Sequence, residues 1–345
     1  MAGEKEDKDM KAGRVSQTVY RRSVRKQIQD HIEDTGLLKP SQEETCYVAG
    51  ESGELLTIAT DVSLAGNEKD LGVFVIAQAV DRLASRGAQA YGISVQIMLP
   101  TFAYESRLKV MIAEISEICK GKNLQVFFVD AQCVAGIQTS IVHVTAHGKV
   151  EKEQLLASRL AKAEEEIVLV KWIGMEGTLR IMREEGERLS ERFAPGFLDK
   201  IEKMRNEIFS EKAMEIARET GASAMHPIGE GGILAALWDM AEGAGIGLSV
   251  EMKKMTVRQE TIEVCEVFHL NPYQLTSTGA VLVVTPKGEE LKEKLTREGI
   301  PAEIIGHTTE GNDRIIWGAG EKRFLDRPAP DELTRIYEMK ENANA

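Results

Sequence analysis

The sequence predicts an α/β protein built from two domains. Its 345 residues exceed what one ordinary hydrophobic core supports. Apolar residues at helical spacing alternate along the chain with short apolar runs typical of β-strands. Hydrophobic residues make up 43% of the chain and charged residues 28%, which is the composition of a folded globular protein.

The N-terminal elements are predicted to be a helix and a β-hairpin. Residues 15–38 place apolar side chains on one helical face, and Gly36 is suited to end that helix. Residues 46–49 and 55–59 are predicted as strands, because Gly53 in the short polar connection between them favours a hairpin.

Alternating helices and strands complete the first domain, which is α+β or α/β and is expected to end near residue 150. A helix at residues 71–86 is closed by Gly87, a residue that adopts the left-handed conformation at no steric cost. The remaining predictions are a strand at 93–99, a helix at 106–119, and strands at 124–129 and 140–145.

The second domain is predicted to begin after a charged helical segment at residues 151–166. Its elements are a strand at 167–170, helices at 177–192 and 211–219, a connection at 222–232, a helix at 233–241, and further elements at 248–252, 261–268, 280–285, 288–298 and 302–307. We therefore divide the chain into an N-terminal helical segment (1–38), a first domain (39–150), a second domain (151–325) and a C-terminal tail (326–345).

Charge and cysteine usage exclude several classes of protein. The formal net charge of -12 argues against nucleic-acid binding. The four cysteines are far apart and form no C-x-x-C pair, which indicates reduced thiols. No segment approaches the roughly 18 apolar residues of a membrane span, and the first residues lack a signal-peptide pattern. We expect a cytoplasmic protein without a membrane partner.

A glycine-containing turn lies before the predicted helix at 233–241. Gly231 and Gly232, preceded by Glu230, would let the backbone approach a ligand, and the free N–H groups of the first helical turn favour an anion such as phosphate. The alternative is an ordinary turn in which Glu230 complements the helix dipole. The turn taken alone favours this structural interpretation.

Carboxylates form a second candidate site. Glu43, Glu44, Asp61, Asp81 and Asp130 are expected at element ends in the first domain, where they could converge at one edge of a sheet. Magnesium prefers oxygen ligands of this kind. An acidic protein carries carboxylates everywhere, however, so spacing alone does not establish that they converge.

Six segments, taken in their order along the chain, carry a further signal. They are Thr60-Asp61-Val62, Asp81-Arg82-Leu83-Ala84-Ser85-Arg86-Gly87-Ala88, Lys171-Trp172-Ile173-Gly174-Met175-Glu176-Gly177-Thr178, Ala224-Met225-His226, Glu230-Gly231-Gly232 and Ser277-Thr278-Gly279-Ala280. Together they resemble the AIR synthase-related (PurM-like) superfamily, and HypE-like hydrogenase maturation factors most of all.

The resemblance implies a fold, a partner and two cofactors. It implies an N-terminal domain whose sheet pairs with its twin in a homodimer, followed by an α/β C-terminal domain. It also implies ATP and Mg²⁺, used for phosphoryl transfer or for activation of an oxygen on a small-molecule ligand. Glu43, Glu44 and Asp61 would then be metal ligands, and the turn of Glu230, Gly231 and Gly232 would bind the cofactor.

Departures from the family pattern put the usual chemistry in doubt. Asp81-Arg82 stands where relatives have an Asn-Asp pair, and Asp130 opens a segment that replaces Gly-Gly-His-Thr or Gly-Gly-Asp-Thr. Pro227 and Gly229 replace an Asp and a Thr. The chain ends in Ala345, without the terminal Cys through which HypE acts, so HypE's reaction is not expected.

Two functions remain open from the sequence. One is an altered ATP-dependent enzyme in which Asp81, Arg82 and Asp130 serve as catalytic residues, because phosphoryl transfer depends mostly on positioning and charge neutralisation. The other is a catalytically silent relative with a binding, maturation or regulatory role.

Overall fold

The chain forms two β-sheets that are covered by helices. The computed structural model describes residues 13–28, 38, 41, 43–318 and 320–344. The N-terminal segment forms α1 (Gln17–Tyr20), a π-helical turn (Arg21–Arg25) and α2 (Lys26–Ile28).

The first sheet has five strands in the order β1-β2-β5-β3-β4. Strand β3 pairs in parallel with β4 and the other pairs are antiparallel. The core of this sheet packs against α3 and α4. The elements are β1 (Tyr47–Ser52), β2 (Leu55–Gly66), α3 (Leu71–Ala84), β3 (Gln89–Pro100), α4 (Glu105–Gly121), β4 (Gln125–Val134) and β5 (Ser140–Glu151).

The second sheet has seven strands in the order β12-β11-β8-β10-β6-β9-β7, and both of its faces are covered. Alternate residues of β6 belong to two separate cores, because a strand between two helical layers buries both of its faces. The strands are β6 (Glu166–Val170), β7 (Ala224–Pro227), β8 (Gly247–Glu251), β9 (Val281–Thr285), β10 (Ala302–Thr309), β11 (Arg314–Gly318) and β12 (Glu321–Phe324).

Helix α3 joins the two halves of the molecule. One side of α3 packs on the first sheet, while Val73, Phe74 and Ala77 pack against the helices of the second half. The helices of the second half are α5 (Met175–Glu184), α6 (Gly186–Arg192), α7 (Pro195–Lys203), α8 (Glu211–Thr220), α9 (Gly232–Ala244), α10 (Gln259–Phe268), α11 (Gly288–Arg297) and α12 (Thr334–Asn344).

The predicted mixed α/β class is confirmed, and three local predictions are wrong. The charged segment 151–166 is not a helix, because the alternating burial of β5 continues to Glu151 and only short 3₁₀ turns follow. The helix predicted at 177–192 is two helices that meet at Glu185. Strand β4 runs to Val134, so Asp130 lies within a strand rather than after one. Of the predicted helix at 15–38, residues 17–28 are helical, Val15, Ser16 and Leu38 are not, and residues 29–37 lie outside the described part.

Candidate functional site

The candidate site is a cavity of about 560 Å³ between the two halves of the molecule. Its walls come from the N-terminal segment, the chain around β1 and β2, helix α3, the β7–α9 connection and α9. This volume lies in the range of small-molecule sites. The titratable side chains that line it include Arg14, Glu44, Asp61, Asp81, Arg82, His226, Glu230 and Asp239.

Helix α3 contributes Gln78, Asp81 and Arg82, which share one helical face because they are three or four residues apart. Asp81 is 1% exposed and its Oδ1 accepts a hydrogen bond of 2.9 Å from the Ser210 amide. Burial raises the pKa of Asp81 to about 8. Asp81 is therefore mostly protonated at neutral pH.

Arg82 and Asp61 lie next to each other in the cavity wall. The Arg82 guanidinium donates to the backbone carbonyl of Asp61 at 2.9 Å. The two carboxylate oxygens of Asp61 accept hydrogen bonds from Tyr47 at 2.8 Å and Thr145 at 2.6 Å. The cation of Arg82 is thus held beside the candidate metal ligand Asp61.

Glu44 is paired with a buried arginine. Arg86 is fully buried, and its Nε lies 2.7 Å from Glu44 Oε1. Arg86 also donates to the Met225 carbonyl at 3.0 Å, so this arginine connects the turn after α3 to β7. Glu44 therefore neutralises a cation of the protein itself.

The three predicted metal ligands do not form one cluster. Glu43 accepts a hydrogen bond of 2.7 Å from Gln17, whereas Glu44 and Asp61 have the separate partners given above. Across the described residues, no group of three or more His, Cys, Asp or Glu side chains is arranged to hold a metal ion. The donor set therefore does not fit a magnesium ion coordinated by the protein alone.

The glycine turn is occupied by the chain's own C-terminal segment. The Gly231 amide donates to the Asp331 carboxylate at 2.6 Å, and Asp331 is 4% exposed. Gly232 approaches another backbone segment, since a Cβ atom there would lie 2.5 Å from the Tyr273 carbonyl oxygen. Glu230 is exposed and lines the cavity. The turn thus has internal packing roles that the sequence pattern alone did not distinguish from phosphate binding.

Asp130 lies away from the cavity on the exposed edge strand β4. Its cross-strand neighbour is Gln96, which in turn pairs with His143 on β5. Asp130 therefore shares a sheet face with Asp61 but lies three strands away, about 14 Å at the usual strand spacing. The structure does not bring Asp130 together with Asp81 and Arg82.

Sequence reasoning gave no role to several cavity residues. His226 is 7% exposed, and burial, reinforced by Arg86, lowers its pKa to about 3, so the ring is neutral. Asp239 on α9 pairs with Arg14 at 2.6 Å. His226 stood in a segment that carried the family resemblance, but nothing in the sequence indicated the Arg14–Asp239 pair across 225 positions.

Comparisons with known proteins show which proteins the chain is similar to. Residues 162–318 match the family model of the AIR synthase related protein, C-terminal domain. A putative hydrogenase expression/formation protein of Methanocaldococcus jannaschii is 24% identical over 276 residues, covering 77% of this chain and 79% of that protein. Carbamoyl dehydratase HypE of Rhodobacter capsulatus is 23% identical over 289 residues, covering 81% and 82%. The chain is therefore similar to the AIR synthase related family over residues 162–318, and to HypE-like proteins over about four fifths of its length.

Solved structures confirm the PurM-like fold. A structure of Escherichia coli HypE superposes with a TM-score of 0.70 at 15% identity, covering 92% of this chain and 99% of that one. A structure of HypE in complex with ATP gives a TM-score of 0.64 at 16% identity, covering 95% and 98%. In the part of the chain that is described, no helix combines the length and apolarity needed to cross a membrane.

Proposed function

We propose that this protein binds a nucleotide such as ATP in the cavity beside α3. The main support is a cavity of nucleotide size whose wall carries the Arg82 guanidinium beside Asp61. Guanidinium groups form strong charge-assisted hydrogen bonds with phosphate oxygens. A solved relative of the same fold is named as a complex with ATP, which supports this choice of ligand.

In this proposal, arginine takes over part of the charge neutralisation that magnesium would provide. Arg82 supplies a cation at the cavity wall, while the predicted metal ligands are separated and bonded to protein groups. We therefore expect ATP binding to be retained even if magnesium-dependent phosphoryl transfer is weakened. The competing hypothesis is an altered ATP-dependent enzyme that acts on a small molecule. That hypothesis requires the protein to turn over ATP.

ATP binding is expected to depend on Arg82 and only weakly on magnesium. Arg82→Gln should weaken ATP binding about 10- to 100-fold in isothermal titration, because a hydrogen bond to a charged group contributes about 1.5–3 kcal/mol. The affinity of the wild type in EDTA should stay within about tenfold of that in magnesium, since the described residues contain no carboxylate cluster arranged to hold the ion. Arg297→Gln, on the distant helix α11, is the charge-matched control. Absence of ATP binding by the wild type would remove the proposal.

We also propose a homodimer formed through the edge strand β4. Val126, Phe127, Phe128 and Val129 on this strand are between 43% and 54% exposed. An open edge with apolar side chains tends to pair with another strand. A second copy of the chain is the occupant that the family resemblance implies.

Phe128→Lys is expected to convert the dimer into a monomer at micromolar concentration, as measured by light scattering. The lysine would place charge in the interface and would favour solvent exposure of the edge. Phe102→Lys changes a residue that is 61% exposed in the turn before α4 and should leave the dimer intact. A monomeric wild type would contradict this assignment.

A role in hydrogenase maturation is the second candidate function. Its support is that two relatives aligned over about four fifths of their length carry names of that class. Deletion of the gene in a hydrogenase-containing host should then leave hydrogenase activity low and restorable by the wild-type chain. Unchanged hydrogenase activity would reject this role.

A further inference from the structure

A second cavity, of about 420 Å³, lies between the first turn of α9, strand β12 and the chain that follows β12. We call it the α9–β12 cavity. Among the described residues, it shares no lining residue with the cavity beside α3. Its volume is within the range of small-molecule sites. It is therefore a separate place where a ligand could bind.

The floor of the α9–β12 cavity is apolar. Ala235, Ile316 and Leu325 are buried, with exposed fractions of 5% to 7%. Leu234 and Met252 line the same floor and pack against the core of the second sheet. Transfer of hydrocarbon from water to such a surface is favourable. The floor is thus suited to the apolar body of a ligand.

The walls of this cavity are held in place by hydrogen bonds. The chain that crosses it after β12 is fixed at both ends. At one end the Leu325 amide donates to the Arg314 carbonyl at 2.8 Å, and at the other Asp331 accepts from the Gly231 amide at 2.6 Å. A site that is already formed loses little ordering entropy when a ligand binds.

Three charged side chains line the cavity, and they are Arg323, Asp326 and Arg327. Arg323 is the cross-strand neighbour of Ile316, so its side chain lies on the same face of the sheet as the floor. Arg327 donates to the Thr18 hydroxyl at 3.4 Å. Within the described part of the chain, neither arginine has an ion-pair partner.

The charge balance of the lining favours an anion. Two arginines and one aspartate leave the lining with a net positive charge, in a chain whose formal net charge is -12. Guanidinium groups form strong charge-assisted hydrogen bonds with carboxylates and phosphates. A group with one negative charge balances this lining, whereas a phosphate monoester brings a second negative charge close to Asp326.

We propose that the α9–β12 cavity binds a small molecule with an apolar body and a single carboxylate, such as a medium-chain fatty acid. The carboxylate accepts hydrogen bonds from Arg323 and Arg327, and the hydrocarbon lies on the floor formed by α9, Met252 and Ile316. This ligand and the nucleotide occupy different cavities, so each can be tested without the other.

Octanoate, octanol and acetate separate the two parts of the proposed ligand. Isothermal titration of the full chain at pH 7 should show saturable binding of octanoate. Octanol lacks the charge and acetate lacks the hydrocarbon, so each should bind at least about tenfold more weakly. Equal binding of octanol or of acetate, or no saturable binding of octanoate, overturns the proposal. Tighter binding of octyl phosphate than of octanoate overturns the choice of carboxylate.

Neighbouring residues of β12 provide matched variants. Arg323→Gln should weaken octanoate binding by about tenfold, because it removes a charged hydrogen-bond donor. Lys322→Gln removes the same charge one residue away, but Lys322 is the cross-strand neighbour of Trp317 and does not line the cavity. Its affinity for octanoate should stay within about twofold of the wild type, since exposed charges contribute little. Equal effects of the two variants overturn the role of Arg323.

The methyl signal of Met252 locates the bound octanoate. In protein labelled with ¹³C-methyl methionine, this signal is identified by its absence from Met252→Leu. Octanoate should shift it saturably, with the same affinity as the titration gives. Saturable octanoate binding that leaves the Met252 signal unchanged places the fatty acid elsewhere and overturns the assignment. Arg323 and Lys322 are both exposed, so both Gln variants should fold, and Arg327→Gln gives a second test of the carboxylate contact.

Discussion

Arg180→Met is expected to lower the free energy of unfolding by about 3–5 kcal/mol, the cost of removing one partner from a buried ion pair. Arg180 is 4% exposed, and its Nε lies 2.8 Å from Glu68, a residue that is 3% exposed. Its Nη1 lies 3.3 Å from Glu176, which is fully buried. Methionine would fill much of the space but would leave two carboxylates in the interior without their cation.

The position of Arg180 makes this effect larger than the loss of one contact. Its Nη2 also donates to the Ala65 carbonyl at 2.6 Å and to the Tyr337 hydroxyl at 2.9 Å. Arg180 therefore connects the end of β2, helix α5 and the C-terminal helix α12. We expect its loss to loosen α12 as well as to destabilise the whole chain.

Urea denaturation followed by circular dichroism measures the effect, and Lys109→Met is the control. Lys109 pairs with Glu105 on the surface of α4, where the two side chains are 73% and 78% exposed. Exposed pairs contribute little, so the control should unfold as the wild type does. If Arg180→Met and the control behaved alike, the buried network would have no stabilising role. Adding Glu68→Gln to Arg180→Met should recover part of the loss, because one uncompensated charge is removed.

The two-sheet fold was predictable because apolar residues recur along each helix and strand with the period of the residues that become buried. Helix α3 and strands β3 and β6 have apolar patterns that match their observed burial, and the predicted β1–β2 hairpin is confirmed. Strand β7 was missed because only four residues form it, which is too short for a periodic pattern. Its residue His226 was missed as a cavity residue for the same reason.

The candidate site was less predictable because its partners are distant in sequence. Asp61, Asp81 and Arg82 were named from the sequence and do line the cavity. Arg86 could not be assigned to Glu44, since the pair joins segments 42 positions apart. Asp331 contacts Gly231 across 100 positions. Carboxylate spacing left convergence open, and in the structure Glu43, Glu44 and Asp61 each have a separate partner.

The substitution at Asp81 has a simple chemical interpretation. The family resemblance puts an asparagine where this chain has Asp81. A protonated carboxyl has nearly the shape of a carboxamide and presents a donor and an acceptor in the same places. Because burial raises the pKa of Asp81 to about 8, Asp81 can present the same donor and acceptor as the asparagine that the resemblance implies there. The neighbouring change to Arg82 does alter the charge of the cavity.

Gly232→Ala is expected to destabilise the protein by about 2–5 kcal/mol, from backbone strain of about 1–2 kcal/mol and overpacking of about 1–3 kcal/mol. Gly232 has a φ of +65°, and an added Cβ would lie 2.5 Å from the Tyr273 carbonyl oxygen and 2.9 Å from the Gln274 backbone. The three nearest atoms all belong to the backbone of Tyr273 and Gln274, so none of them is a flexible side chain that could move aside.

Gly229→Ala is the matched control in the same turn. Among the described residues other than its two chain neighbours, none has an atom within 4 Å of a Cβ built at Gly229, and the φ of Gly229 is outside the left-handed region. The control should therefore stay within about 0.5 kcal/mol of the wild type in urea denaturation. If both variants lost the same stability, the close approach at Gly232 would not be the cause.

The same pair of variants separates the two interpretations of the glycine turn. If Gly232 serves packing, Gly232→Ala should lower stability, and ATP affinity measured below the unfolding transition should change by less than about threefold. If the glycine admits a phosphate, ATP affinity should fall more than tenfold with stability retained. We expect the first result, because the Gly231 amide is already bound to Asp331 and Gly232 packs directly on the Tyr273 backbone.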